Sequence, residues 1–183
     1  MNAQLILNEL DARLNMPVEL TLYGRAAIQL GFKNPPEDAL LSMDVDAVFW
    51  IGQAEQLNEK TNFWEAVEQV NRALGEQGLY ISHFFEEDMV ILRPDWKERR
   101  AKIESSFRKI DLFRLSDVDL LLSKLMRDDP QDQQDALFIT KEAGLSLADI
   151  QSAIQRARIP PIPEIIEEFK KASRRLLKAF SDS

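Results

Sequence analysis

The chain has 183 residues, 45% of them hydrophobic, enough for one packed domain with a small appended lobe. Its 23 basic and 31 acidic residues give a net charge of −8, which excludes a generally basic nucleic-acid coat and leaves room only for a local positive cleft. With no cysteine and one histidine, His83, it excludes disulfides, thiol nucleophiles, thiolate zinc and multi-histidine metal centres, so carboxylates must hold any metal, which points to magnesium.

The N-terminal stretch MNAQLILNELDARL lacks a basic start and carries Glu9 and Asp11 among its apolar residues. It therefore reads as a helix over 3–14, with Ile6, Leu10 and Leu14 on one face, and not as a secretory signal. No apolar run approaches the ~20 residues of a membrane span. A cytoplasmic location without membrane contact is expected. In VELTLY, Val18, Leu20 and Leu22 alternate with Glu19, Thr21 and Tyr23, a strand pattern. Gly24 follows, then the short helix former RAAIQLGF. Asn34, Pro35 and Pro36 make a loop. DVDAVFW, residues 44–50, predicts a second strand.

Phe63, Val67, Val70 and Leu74 form one stripe and predict a helix over 63–74, with Asn62 and Glu65 resembling a capping box. Gly75 and Gly78 end it. LYISHFF and MVILRP predict two strands joined at 86–88. WKERRAKIESSF reads as helical or turn-like, and KIDLFRL, residues 109–115, as a further strand. Ser116 and Asp119 cap a helix running to about Arg127. Asp129–Pro130 starts another, which ends at Gly144. Ser146 and Asp149 cap a third. Ile159 to Pro163 is a rigid connector, and the last helix aligns Ile165, Phe169, Ala172, Leu176 and Phe180.

This order predicts an α+β fold: a mixed sheet with flanking helices over 1–115, followed by a C-terminal helical lobe over 116–183 packed on it.

The informative stretch is strand, glycine, helix, then a strand bearing Asp-x-Asp: LTLYGRAAIQLG followed by SMDVDAVFW. Side chains two apart on a strand share a face, so Asp44 and Asp46 project together, roughly 7 Å apart at the Cβ atoms. Two carboxylates so placed suit divalent cations that stabilise the oxygens of a phosphoryl transfer. Gly24 lets the backbone approach a phosphate, and the helix after it aims free N–H groups at the same place.

This segment resembles the core of the polymerase-β-like nucleotidyltransferase superfamily. The C-terminal half, LSDVDLLLSKLMR and DPQDQQDALFI, is similar to the abortive-infection (AbiEii-like) and toxin-type bacterial nucleotidyltransferases. The resemblance covers roughly residues 18–143. It implies that Asp44 and Asp46 bind magnesium and that Gly24, with Arg25, makes the phosphate turn. It assigns Lys124, with Arg127 beside it, to the triphosphate of an NTP. A third acid would be Asp111 or, on the toxin-type pattern, Asp132 or Asp135, with Asp135 preferred. The sequence departs from the family at Arg25, where serine is usual, and in the length between Arg25 and Asp44. The implied reaction moves a nucleoside monophosphate from an NTP to an RNA such as tRNA, or to a protein. The implied setting is a toxin–antitoxin or phage-defence system, with an antitoxin or helix-turn-helix partner. The alternative is a nucleotidyltransferase fold with impaired catalysis that acts as a binding module.

Plainer readings stand beside these. Asp44 and Asp46 also read as a polar strand edge, Lys124 as a snorkelling side chain, and Asp132 as a charge on a helix dipole. The basic groups Lys97–Lys102 and Lys170–Lys178 read first as solvated faces, the second also as an RNA-facing surface. His83 reads as structural, without a role.

Overall fold

The computed structural model describes residues 1–181. The chain divides into two compact units. The first comprises residues 1–86 and 100–114, and the second residues 87–99 and 115–183. The segment 87–99 thus groups with the C-terminal helices.

The first unit is built on a five-stranded mixed sheet ordered β3-β2-β1-β5-β4. Its strands are β1 (Val18–Tyr23), β2 (Asp44–Phe49), β3 (Tyr80–Glu86), β4 (Ala101–Lys102) and β5 (Ile110–Arg114). β1 runs antiparallel to β2 and parallel to β5, and β2 is parallel to β3. Five helices belong to this unit: α1 (Asn2–Arg13), α2 (Gly24–Gly31), α3 (Glu37–Leu40), α4 (Gln53–Lys60) and α5 (Phe63–Leu74). Alternation explains β1: Val18, Leu20 and Leu22 are buried together with Ile6, Leu7 and Leu10 of α1. Phe49, Phe63, Trp64 and Phe84 form an aromatic cluster with centroids 5.0 to 6.2 Å apart.

Side chains supply backbone partners where strands do not. Asp11 of α1 accepts from the amides of Arg108, Lys109 and Ile110, which anchors the entry into β5. Asn71 of α5 both accepts from and donates to the backbone of Ile81 on the edge strand β3, so that edge residue offers little to a foreign strand. Buried Gln29 joins the start of α1 to the end of α3 through Ala3 N–H and the carbonyls of Ala39 and Leu40.

Three expectations need correction, and one helix forms where the sequence reading places no element. Residues 53–60 form α4, although QAEQLNEK has little apolar periodicity and buries only Gln53 and Leu57. Asn62 makes no cap bond; its side chain instead accepts from Asn15 N–H and donates to the Arg13 carbonyl. MVILRP is not a strand. It follows a 3₁₀ turn at Glu87–Met89, its Val90, Ile91 and Leu92 are buried, and Leu92 makes an isolated bridge to Arg158. The capped helix after Ser116 ends at Lys124, before Arg127.

The second unit contains α6 (Asp117–Lys124), α7 (Pro130–Glu142), α8 (Leu147–Arg156) and α9 (Pro163–Ser181). Each of the first three starts where its cap dictates. Ser116 accepts from Asp119 N–H, Asp129 from Asp132 N–H with Pro130 at the first position, and Ser146 with Asp149 forms a full capping box. Gly144, at φ +62°, follows α7. A buried ion pair links the segment 87–99 to α6. Arg93 donates to both carboxylate oxygens of Asp119, at 3.2 and 2.8 Å, and to Ser116 Oγ. The Arg93 amide also donates to Asp119.

Candidate active site

The Asp-x-Asp strand lies beside the glycine turn because β2 is antiparallel to β1. Register pairs Tyr23 with Asp46 and Leu22 with Ala47. The end of β1 that delivers Gly24 is therefore the end of β2 that carries the aspartates. Gly24 has φ +62°, a conformation glycine adopts without the penalty a β-carbon brings. A β-carbon placed there would stand 3.5 Å from Asp46 Oδ2. Gly24 also opens α2, whose first amide groups lack partners within the helix.

The two carboxylates converge. Ser82 Oγ on β3 lies 3.2 Å from Asp44 Oδ2 and 2.9 Å from Asp46 Oδ1. Ser42 Oγ, just before β2, donates to Asp44 Oδ1 at 3.0 Å. His83 reaches Asp46 Oδ1 twice, through its backbone N–H and through Nδ1, each at 3.2 Å. A register shift between Val45 and Asp46 sets His83 opposite Asp46. The His83 ring stacks on Phe85 with centroids 5.3 Å apart, and Phe85 packs at 5.3 Å on Tyr23, the residue before Gly24.

Ser82 and His83 were not legible as site residues. Their signal lies in the parallel neighbour of β2, and a local window shows neither that neighbour nor its bulge.

Arg25 donates to the Asp38 carboxylate at 2.7 Å and to the Asp38 carbonyl at 3.1 Å. That hydrogen bond holds the Asp38 carboxyl below the usual carboxylate range. Asp111 pairs in register with Glu19, toward the end of β1 away from Gly24, and meets Lys102 at 3.3 Å.

Lys124, Arg127, Asp132 and Asp135 belong to the second unit and are brought together there. The buried Lys124 ammonium lies 3.0 Å from Asp132 and 2.7 Å from Asp135. Arg127 donates to the other Asp132 oxygen at 2.9 Å from an exposed position. As placed, this cluster ties α6 to α7. The basic residues of α9 are largely engaged as well: Lys170 with Glu167, Lys171 with Glu168, and Arg175 with Asp128.

The donor set at β2 consists of carboxylate and hydroxyl oxygens, the chemistry a hard dication prefers. Among the described residues, no three His, Asp or Glu side chains are grouped to hold a metal ion. Magnesium fits such a pair nonetheless, because it is commonly bound through one or two carboxylates, with waters and substrate phosphates completing its shell.

No helix among the described residues is long and apolar enough to cross a membrane. A family model described as a nucleotidyltransferase of unknown function (DUF6036) matches residues 37–176. That match contains Asp44, Asp46, Ser82 and His83. No curated protein and no solved structure matches the chain significantly.

Proposed function

This chain belongs to the nucleotidyltransferase family of unknown function DUF6036, and we propose that it moves a nucleoside monophosphate from an NTP to an RNA end, such as that of a tRNA, or to a protein hydroxyl. The observation that carries the reading is the convergence of Asp44 and Asp46 on one hydroxyl beside Gly24. Asp44 and Asp46 would hold magnesium. Such an ion supplies charge compensation at the transferring phosphoryl group.

The chain's own residues do the positioning. Gly24 leaves the backbone open to a phosphate, and the amides of the first α2 turn face it with the positive end of the helix. Ser42, Ser82 and His83 fix both carboxylates, so that little reorganisation is needed when the triphosphate arrives. Within the second unit, Lys124 pairs with Asp132 and Asp135 and holds α6 against α7. By its resemblance to the abortive-infection and toxin-type enzymes, the proposed setting is a toxin–antitoxin or phage-defence system with a protein antitoxin or helix-turn-helix partner.

A second reading, a nucleotide-binding module with impaired catalysis, is favoured by the lack of a third grouped ligand among the described residues. One experiment separates the two. The wild type and an Asp44→Asn, Asp46→Asn variant are incubated with labelled NTPs, magnesium and total RNA, and their melting with magnesium–NTP is followed in parallel. Labelling by the wild type alone supports the enzyme. Stabilisation of the wild type without labelling supports the module. Equal behaviour of the two proteins overturns both.

A further inference from the structure

The order of the sheet sets a direction across the candidate site. β1, β2 and β3 are neighbours in that order. Gly24 follows β1, Asp44 and Asp46 lie on β2, and Ser82 lies on β3. Neighbouring strands stand about 4.8 Å apart, so the strands that carry Gly24 and Ser82 flank the aspartates from opposite sides, roughly 10 Å from one another.

A displacement at phosphorus places the attacking and leaving oxygens roughly in line, on opposite sides of the phosphorus atom. With the leaving end of a triphosphate in the Gly24 turn and its α-phosphate at the aspartates, the attacking hydroxyl comes from the β3 side. That side already holds one. Ser82 is exposed, and its Oγ lies 2.9 Å from Asp46 Oδ1 and 3.2 Å from Asp44 Oδ2. A hydroxyl has a single proton and an ionised carboxylate only accepts, so either aspartate is placed to receive it. Ser42 differs: it precedes β2, is half-buried and bonds to Asp44.

The backbone on both sides of Ser82 is held. Asn71 accepts from the Ile81 N–H and donates to the Ile81 carbonyl, and the His83 N–H donates to Asp46. The hydroxyl is therefore presented at one place, which favours a reaction within one molecule.

We propose that Ser82 is a site of self-nucleotidylation. The proposal rests on the nucleotidyl-transfer reading and names an acceptor for it, a hydroxyl of this chain. Ser82 Oγ attacks the α-phosphorus of an NTP. The Oγ–phosphorus bond forms as the bond from the α-phosphorus to the oxygen bridging it to the β-phosphate breaks. Pyrophosphate leaves with that electron pair, and the hydroxyl proton passes to a neighbouring carboxylate and on to water. The product is a phosphodiester joining Ser82 to a nucleoside monophosphate.

The test uses the full chain with magnesium and each of the four NTPs, without RNA. Intact-mass spectrometry of the wild type shows a gain of one nucleoside monophosphate with at least one NTP, matched by one pyrophosphate released per chain. Peptide mapping places the adduct on Ser82. The rate per molecule does not change on dilution. Ser82→Ala loses the adduct outright while its melting temperature stays at the wild-type value, because the position is exposed, and the Asp44→Asn, Asp46→Asn protein loses it as well. An adduct mapped to another residue, a phosphate in place of a nucleoside monophosphate, or an adduct that persists in Ser82→Ala would overturn the proposal. Stabilisation of the wild type by magnesium–NTP, or labelling of RNA, with no mass gain would overturn it and leave the nucleotidyl-transfer reading standing. Absence of stabilisation, RNA labelling and mass gain together would remove both.

Discussion

The Asp46 carboxylate lies 3.5 Å from the point where a β-carbon on Gly24 would stand. This contact joins two features that are separate in sequence, a left-handed glycine after β1 and an acidic pair on β2. It follows from the antiparallel register of Tyr23 with Asp46.

Replacing Gly24 by alanine tests that junction. The gap accepts a methyl group, but φ +62° does not suit one. The expected loss of stability is about 1–2 kcal/mol, read from denaturant unfolding. The methyl also occupies the space beside Asp46, so stabilisation by magnesium–NTP falls further than the change in stability explains. A variant with wild-type nucleotide response would remove Gly24 from the proposed phosphate turn.

Ser82 and His83 act on the aspartates from the edge strand. Ser82→Ala removes a hydroxyl shared by both carboxylates, and His83→Ala removes the Nδ1 contact while leaving the backbone N–H in place. Both positions are exposed. The melting temperature should hardly move, while nucleotidyl transfer falls roughly tenfold for each, the scale for groups that orient a metal ligand. Unchanged transfer in both variants would deny them a positioning role.

The cluster at Lys124 is tested by stability. Lys124→Met leaves Asp132 and Asp135 buried without their shared ammonium. The expected cost is about 3–5 kcal/mol in chemical denaturation. Loss of NTP affinity with unchanged stability would instead return Lys124 to the triphosphate. Asp119→Ala at the buried Arg93 pair serves as the reference, with a loss of the same order.

What the sequence made legible follows the range of the interactions. Caps are local, so Ser116, Asp129 and Ser146 mark their helices within a few residues. Alternation in 18–23 and the stripe in 63–74 are local too. MVILRP misleads because its partners are distant. Arg93 N–H goes to Asp119 and Leu92 bridges to Arg158, so an apolar run with β-type composition is buried as irregular backbone. Asn62 misleads in the same way, since its side chain serves Asn15 and Arg13, far back in the chain. At the candidate site the acidic pair and the glycine were readable from spacing. Ser82 and His83 were not, because a strand pairing with a bulge brings them in.

The Ser146–Asp149 capping box carries a pH dependence whose sign is fixed. The Ser146 hydroxyl, and then its backbone N–H, donate to the Asp149 carboxylate and lower its pKa below 3.8. The ionised form is favoured in the folded state, so the cap's contribution is complete above the unfolded value of 3.8 and is lost as pH falls through the lower folded value. Asp95 behaves alike: the Arg99 guanidinium, assisted by Arg156, draws it down to about 2. Ser146→Ala should therefore lower stability by about 1 kcal/mol at neutral pH. The difference from wild type should shrink as pH falls through the lowered Asp149 value and the carboxyl becomes protonated in both proteins. Carboxyl-carbon NMR titration provides the direct check, with Asp149 moving toward its ordinary value in Ser146→Ala while Asp95 stays near 2. A gap between the two proteins that is constant from pH 7 to pH 2 would mean that the serine hydroxyl alone makes the cap.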